Sequence, residues 1–496
     1  MSSLDCIFNP RSVAVIGVSR EEEKPGHVIF RNMLDNVRRG AARFRLYGVN
    51  PFVSEVLGVR MHSSVLDIDD EVDLAIVVVP AKVVPKVMVE CGRKGVRGAV
   101  VISAGFSEVG NVELEEEVKR IATDYGVRLV GPNCLGVFDP HSGVDTIFLP
   151  YTKRLRSGEE LVSAPRPRRG FVAVVSQSGA LGLAMLDYMA GEGIGVSRFV
   201  SYGNKADVDE CDLVEYLAED EETRVVLLYL ENVKRGRRFI EVARRASLVK
   251  PLVALKAGRT RAGARATLSH TGALAGVDEV YDAAFRRCGV VRAGSLEELL
   301  DMGKALAYQP PARGPRVAIL TDGGGAGVLA ADEAELQGLE VVELSGETLR
   351  RFEELKREGV LPPFAATGNP VDITGSATTE MYEASLELLL RDDRVDAVVL
   401  IALHHIPGIP SIEELVERTA GVAAKFRKPV VVATIGNSEA VRFLRRYYEE
   451  HFVPAYPSPE RAVRALKALV AYGTYLRRTG VLEGRLREWE PPARAA

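Results

Sequence analysis

The stretch Gly170-Phe-Val-Ala-Val-Val-Ser-Gln-Ser-Gly-Ala-Leu-Gly182 decides the fold class. Its first half is an unbroken apolar run rich in β-branched residues, which suits a strand of a parallel sheet covered on both faces. A turn of small residues follows, and then a helix expected over 183–190. A strand, a small-residue turn and a helix leave bare backbone N–H groups at the helix start, where an anion is favoured. The same unit recurs twice. Arg11-Ser-Val-Ala-Val-Ile-Gly-Val-Ser19 runs into a glycine turn, with a helix after Gly26. Arg316-Val-Ala-Ile-Leu-Thr-Asp-Gly-Gly-Gly-Ala-Gly327 opens another, its helix expected over 328–337.

Working outward, further apolar runs alternate with helical patterns. In the first region strands are expected at 45–49, 74–79, 99–102 and 127–130, and helices at 83–92 and 112–125. The second has strands at 198–202, 225–230 and 252–256, and helices at 212–218 and 237–246. The third has strands at 339–344, 397–403 and 430–435, and helices at 379–390, 411–425 and 460–472. This alternation predicts an α/β chain of three Rossmann-like or flavodoxin-like parallel-sheet domains in tandem, over 1–150, 166–305 and 312–475. The Arg-, Pro- and Ser-rich 150–169 reads as a linker, and the tail after Gly484 as a frayed end.

Bulk composition excludes several classes. The 496 residues suit about three domains. With 47% hydrophobic and 27% charged residues, large cores form and disorder is excluded. A net charge of −4 without a long basic run implies no nucleic-acid partner. No apolar run reaches a membrane span, and the N-terminus lacks the regions of a signal peptide. The five cysteines (6, 91, 134, 211 and 288) are scattered, with no CxxC. That argues against a disulfide framework or a metal site and for a reducing, cytoplasmic setting. Abundant Arg and Glu with only three glutamines points toward a thermophile.

The ends of the strands supply the candidate sites, because ligands of open α/β sheets bind there. In the first region they are Gly17 and Ser19, Asn50 and Pro51, Pro80, and Ser103, Ala104 and Gly105. A nicotinamide dinucleotide does not fit. The first turn is Gly17-Val-Ser-Arg rather than G-x-G-x-x-G, and Val49-Asn50-Pro51 offers no acid to a ribose. The crevice is therefore expected to hold another nucleotide-like ligand. In the second region Ser176, Gln177, Ser178 and Gly179 form a candidate phosphate turn, and in the third Gly323, Gly324 and Gly325 form another. Ser176-Gln-Ser-Gly-Ala-Leu181 is echoed by Ser269-His-Thr-Gly-Ala-Leu274. His270 lies between two hydroxyl residues, just ahead of a helix expected over 277–288, and is the candidate phosphoryl carrier. Glu231 ends the strand at 225–230 and is the candidate carboxylate for its other ring nitrogen. His404-His405 are assigned surface or packing roles.

Taken together and in this order, these motifs resemble a known family. The carriers are the 10–19 stretch, Ser103-Ala-Gly-Phe-Ser-Glu108, Gly131-Pro-Asn-Cys-Leu-Gly136, Ser176–Leu181, Tyr202-Gly-Asn-Lys-Ala-Asp207, 268–276, Asp322-Gly-Gly-Gly and Asn369-Pro-Val-Asp372. The chain is similar to the α subunit of NDP-forming acyl-CoA synthetases (acetate–CoA ligase, ADP-forming), relatives of succinyl-CoA synthetase. One departure is Gly26-His-Val-Ile-Phe30, where smaller residues are more usual. The resemblance implies CoA in the first domain, His270 as the phosphorylated histidine and Glu231 as the acid that stabilises it. It implies a phosphate between two helix N-termini, those after Gly179 and after Gly323–Gly327. It also implies an ATP-grasp β subunit carrying ADP or ATP with Mg, since the chain holds no such module, and an α2β2 assembly acting on a small carboxylic acid or its acyl-CoA. The alternative is a non-catalytic acyl-CoA-binding regulatory protein.

Overall fold

The computed structural model describes residues 4–271, 277–403 and 405–492, with the side chains of 268–271 outside the description. The chain divides into two compact units, Met1–Cys288 and Gly289–Ala496.

The first unit holds two sheets. In the first, β1 (Ser12–Ile16) is central. On one side it pairs in parallel with β2 (Arg45–Val49), and on the other with β3 (Leu74–Val77), followed by β4 (Gly98–Val101) and β5 (Arg128–Val130). All of β1, β3 and β4 is buried, as strands covered on both faces must be. Helix α1 (Pro25–Arg38) crosses from β1 to β2. Its start is set by a close approach: a Cβ on Gly26 would lie 2.1 Å from the Gly17 carbonyl oxygen. Any side chain there would push the helix off the turn.

The chain then enters the second sheet earlier than the 1–150 domain of the sequence reading. β6 (Gly136–Asp139) pairs antiparallel with β8 (Val196–Ser201), which lies beside β7 (Arg169–Ser176). The parallel order continues through β9 (Val225–Leu230) to β10 (Leu252–Lys256). Residues 150–169, expected as a plain linker, include an antiparallel pair between Thr152–Arg154 and Glu160–Val162. Helix α2 (Gly179–Gly191) follows β7, with Ser178 at its N-cap accepting from Leu181 N at 3.4 Å.

The second unit holds a third sheet. Its central strand β11 (Arg316–Thr321) pairs in parallel with Glu340–Val341, with Val371–Asp372 and with β12 (Ala397–Ile401). The segment 369–372 thus contributes a short strand, Val371–Asp372. Asn369 braces it, its amide donating to Val317 O and Val342 O at 2.8 and 2.9 Å. Ser295, Ser345, Thr378, Ser411, Ser438 and Ser458 each cap a helix by accepting from the N–H three positions on. Helix α3 (Gly324–Leu336) is capped differently, because Gly323 at its N-cap has no side chain to offer. The tail expected to fray instead forms a helix, Leu482–Glu488, with Leu482 and Leu486 buried at i,i+4 spacing.

One charged pair lies in this unit's core. Lys304 and Glu449 are 2% and 3% exposed, and the Lys304 ammonium donates to Glu449 and, at 2.7 Å, to Ala455 O. It also sits 4.4 Å from the centre of the Tyr456 ring. Removing one partner strands the other charge away from water. Lys304→Ala is expected to destabilise the protein by about 3–5 kcal/mol, read as a lower denaturation midpoint. Lys304→Met with Glu449→Leu should recover most of that loss.

Candidate active site

At the carboxyl edge of the first sheet the expected residues come together. Gly17, Asn50, Pro80 and Ser103 follow β1, β2, β3 and β4, whose parallel register puts their ends on one side. Asn50 donates its amide to Val18 O at 2.6 Å, locking the second turn to the first. Ser103 donates to Val79 O at 2.5 Å, beside Pro80. Ser19 accepts from Glu21 N at 3.1 Å. His27 of the departing motif is buried, its Nδ1 2.8 Å from Ser19 O. The Ala104–Gly105 loop is held by a carboxylate: Glu108 accepts from Gly105 N at 2.5 Å and from Phe106 N at 3.2 Å. Burial pushes the Glu108 carboxyl up, but these N–H groups and the Asn204 amide outweigh it and hold it below the usual range. Sequence reasoning missed Phe52, which follows Pro51 and is 93% exposed, a bare ring beside the crevice turns.

At the edge of the second sheet, Glu231 is 4% exposed, not a solvated loop acid. Gln177 carries the reason. Its Oε1 accepts from both Glu231 N and Asn232 N, the latter at 2.9 Å. That fixes the backbone as it leaves β9 and leaves the amide's NH2 end to donate. Burial and the Glu231 charge push the nearby Tyr229 hydroxyl up to about 12. Ser176 is fully buried, and its hydroxyl donates to Ser178 O at 2.7 Å, which shapes the turn. Helix α2 opens at Gly179, directly after this turn.

His270 is not placed as the sequence implies. Its backbone lies within helix α4 (Arg261–Thr271), not in a loop ahead of a helix. Alanines at 262, 264 and 266 and arginines at 261 and 265 are strong helix formers, and they carry the helix past the Ser and Thr turn signals. The His270 side chain and most of the 269–274 echo lie outside the described residues, as does His404. The helix expected over 277–288 is α5 (Asp278–Cys288).

In the second unit Gly323, Gly324 and Gly325 open α3. A Cβ on Gly324 would lie 2.9 Å from Asp372 Oδ2. Asp322, just before the turn, is buried, and its carboxyl accepts from Leu403 N at 3.0 and 3.1 Å. Burial raises it to about 6. Among the described residues, Asp209, Glu210 and Cys211 form a group close enough to hold a metal. Cations already answer it: Lys205 is 3.0 Å from Glu210, and Arg235 is 2.6 Å from Asp209. Cys134 is buried, and burial pushes its thiol up to about 12, which leaves it unreactive.

Three known domain families match the chain in succession. Residues 11–140 match a CoA binding domain, 169–306 a succinyl-CoA ligase like flavodoxin domain and 317–479 a ligase-CoA domain. Fold and site together define an acid–thiol ligase of the succinyl-CoA ligase type. The α subunit of ADP-forming acetate–CoA ligase I of Pyrococcus furiosus is 40% identical over 481 residues, covering 95% of this chain and 98% of that one. The chain belongs to the family of ADP-forming acetate–CoA ligase α subunits. An ADP-forming acetate–CoA ligase of Methanocaldococcus jannaschii is also 40% identical, but this chain spans only 63% of it. A solved structure of Ca. Korarchaeum cryptofilum dinucleotide forming acetyl-coenzyme A synthetase 1, in complex with phosphate and ADP, superposes with a TM-score of 0.86 at 37% identity, covering 97% of this chain and 99% of that one. Similarity at this level to enzymes sets aside the regulatory-protein alternative. No described helix is long and apolar enough to cross a membrane.

The raised Asp322 carboxyl has a consequence for stability. An unfolded aspartate titrates near 3.9, so between about pH 4 and 6 the native state holds a proton that the unfolded state has lost. Stability from this group is therefore present at low pH and is lost as pH rises through that window. Relative to Asp322→Asn, the wild type should lose up to about 3 kcal/mol from pH 4 to 6.5, measured by thermal melts across that range.

Proposed function

We propose that this chain, with an ATP-grasp β subunit in an α2β2 assembly, converts acyl-CoA, ADP and phosphate to the free acid, ATP and CoA. A phosphate oxygen attacks the thioester carbonyl, the C–S bond breaks, and CoA leaves as the thiolate, giving an acyl phosphate. A ring nitrogen of His270 then attacks the phosphorus, and the carboxylate departs as the free acid. The phosphohistidine passes its phosphoryl group to ADP, bound with Mg on the partner, giving ATP.

CoA is assigned to the crevice formed by Gly17, Ser19, Asn50, Pro51, Pro80, Ser103, Ala104 and Gly105. What supports this is the match of 11–140 to a CoA binding domain, together with turns that lack the features of a dinucleotide site. Phosphate is assigned to Ser176–Gly179, with Gly323, Gly324 and Gly325 offering a second anion-accepting helix start. Positioned N–H donors and helix dipoles are the protein's means of neutralising a moving phosphoryl group. The observation that carries the proposal is the burial of Glu231 at a strand end, where its backbone N–H donates to Gln177 Oε1. A fixed carboxylate on one ring nitrogen keeps the other unprotonated for attack and stabilises the imidazolium-like phosphohistidine. The printed name of the Pyrococcus furiosus relative, a subunit alpha, supports a second, separate subunit.

Incubation with the partner subunit, Mg and γ-labelled ATP should leave acid-labile, base-stable label on this chain. His270→Ala is expected to abolish it, and Glu231→Gln to slow it by about 10²–10⁴. A His270→Ala chain that still takes up label would sink the assignment.

A further inference from the structure

Three loops of the first unit interlock between the crevice of the first sheet and the turn that carries Glu231. Gly203 takes φ +53°, and a Cβ there would lie 2.3 Å from the carbonyl oxygens of both Pro132 and Asn133. The 202–207 loop therefore packs backbone against backbone on the 131–136 loop. Asn204 N donates to Pro132 O, and Ala206 N to Gly131 O, both at 3.0 Å. The Asn204 amide reaches the crevice side, donating to Glu108 Oε2 at 2.6 Å and Glu115 Oε2 at 2.8 Å. Glu108 is the carboxylate that holds Gly105 N and Phe106 N.

The next residue reaches the other way. Lys205 is 5% exposed, and its ammonium donates to Glu210 Oε2 at 3.0 Å and to Asn232 O at 2.8 Å. Asn232 in turn donates its N–H to Gln177, which also holds Glu231 N. Lys205 itself takes φ +52°, left-handed backbone uncommon for a residue with a Cβ, and such a conformation persists only where its surroundings over-determine it. An ammonium is a compact charge with three donors. Desolvation offsets much of what a buried Lys–Glu pair gains, so its effect here is to fix geometry rather than to add stability.

We propose that Lys205 is a positioning residue for phosphoryl transfer: its ammonium, steadied by Glu210, holds the Asn232 carbonyl and so aligns Glu231, and through Asn204 joins that turn to the 103–107 crevice loop. The proposal rests on Glu231 supporting the phosphohistidine. It predicts that Lys205 acts on the rate of phosphorylation through Glu231, and that loss of its donors leaves CoA binding largely intact.

The test uses the chain reconstituted with its ATP-grasp partner. Lys205→Met keeps the length and loses the donors. It should slow single-turnover phosphorylation by labelled ATP about 10- to 100-fold, the size expected when a reacting group is displaced by about an ångström. The KM for CoA should stay within about twofold, and Lys205→Arg, which keeps the cation, should retain most of the rate. On a Glu231→Gln background Lys205→Met should add less than about twofold, because both act through one group. A Lys205→Met protein with the wild-type rate, or one whose defect adds in full to that of Glu231→Gln, overturns the proposal while leaving the role of Glu231 standing. A Glu231→Gln protein with the wild-type rate overturns both. Where methionine prevents folding, Lys205→Gln takes its place with the same expected loss.

Discussion

One amide oxygen organises the second sheet's working edge. Gln177 Oε1 accepts the N–H groups of Glu231 and Asn232, so two residues that leave β9 are tied to the turn that leaves β7. Without that bond a buried carboxylate would sit on an unsupported loop start, with two backbone donors out of reach of water. With it, the acid, the 176–179 turn and the carbonyl gripped by Lys205 are tied together. The parallel pairing of β7 with β9 makes this reachable, because it puts both strand ends on the same side.

The first sheet shows the same logic with different chemistry. Its turns are held to one another by short polar side chains, Asn50 to Val18 O and Ser103 to Val79 O, rather than by the ligand they are suited to. Glu108 does for the 104–106 loop what Gln177 does for the 231–232 turn, accepting two neighbouring N–H groups. The two edges meet at Asn204 and Lys205, adjacent residues that face opposite ways.

Much of this was legible in the sequence. Apolar runs such as 225–230 and 252–256 are strands over those same residues, because long β-branched stretches admit few alternatives. The strand-end positions of Gly17, Asn50, Ser103 and Glu231 followed once the sheets were read as parallel. His270 did not follow. The Ser-His-Thr-Gly signal suggested a turn, while alanine and arginine upstream extended a helix through Thr271. The hairpin within 150–169 was hidden for another reason: its strands are three residues each and mostly exposed, so no apolar alternation marks them.

Sequence by itself determined the three strand–turn–helix units, the absence of a dinucleotide fingerprint and which polar residues stand at the strand ends. These depend on residue type and local spacing, which backbone sterics and hydrophobic periodicity translate directly into elements. Only the tertiary structure decided that Glu231 is buried, that Gln177 Oε1 holds the Glu231 and Asn232 N–H groups, and that Lys205 reaches Asn232. These pairings join positions 27 to 55 residues apart, and no local pattern encodes them. They arise because parallel strands bring distant loop starts to one edge, where each buried polar group must find a partner.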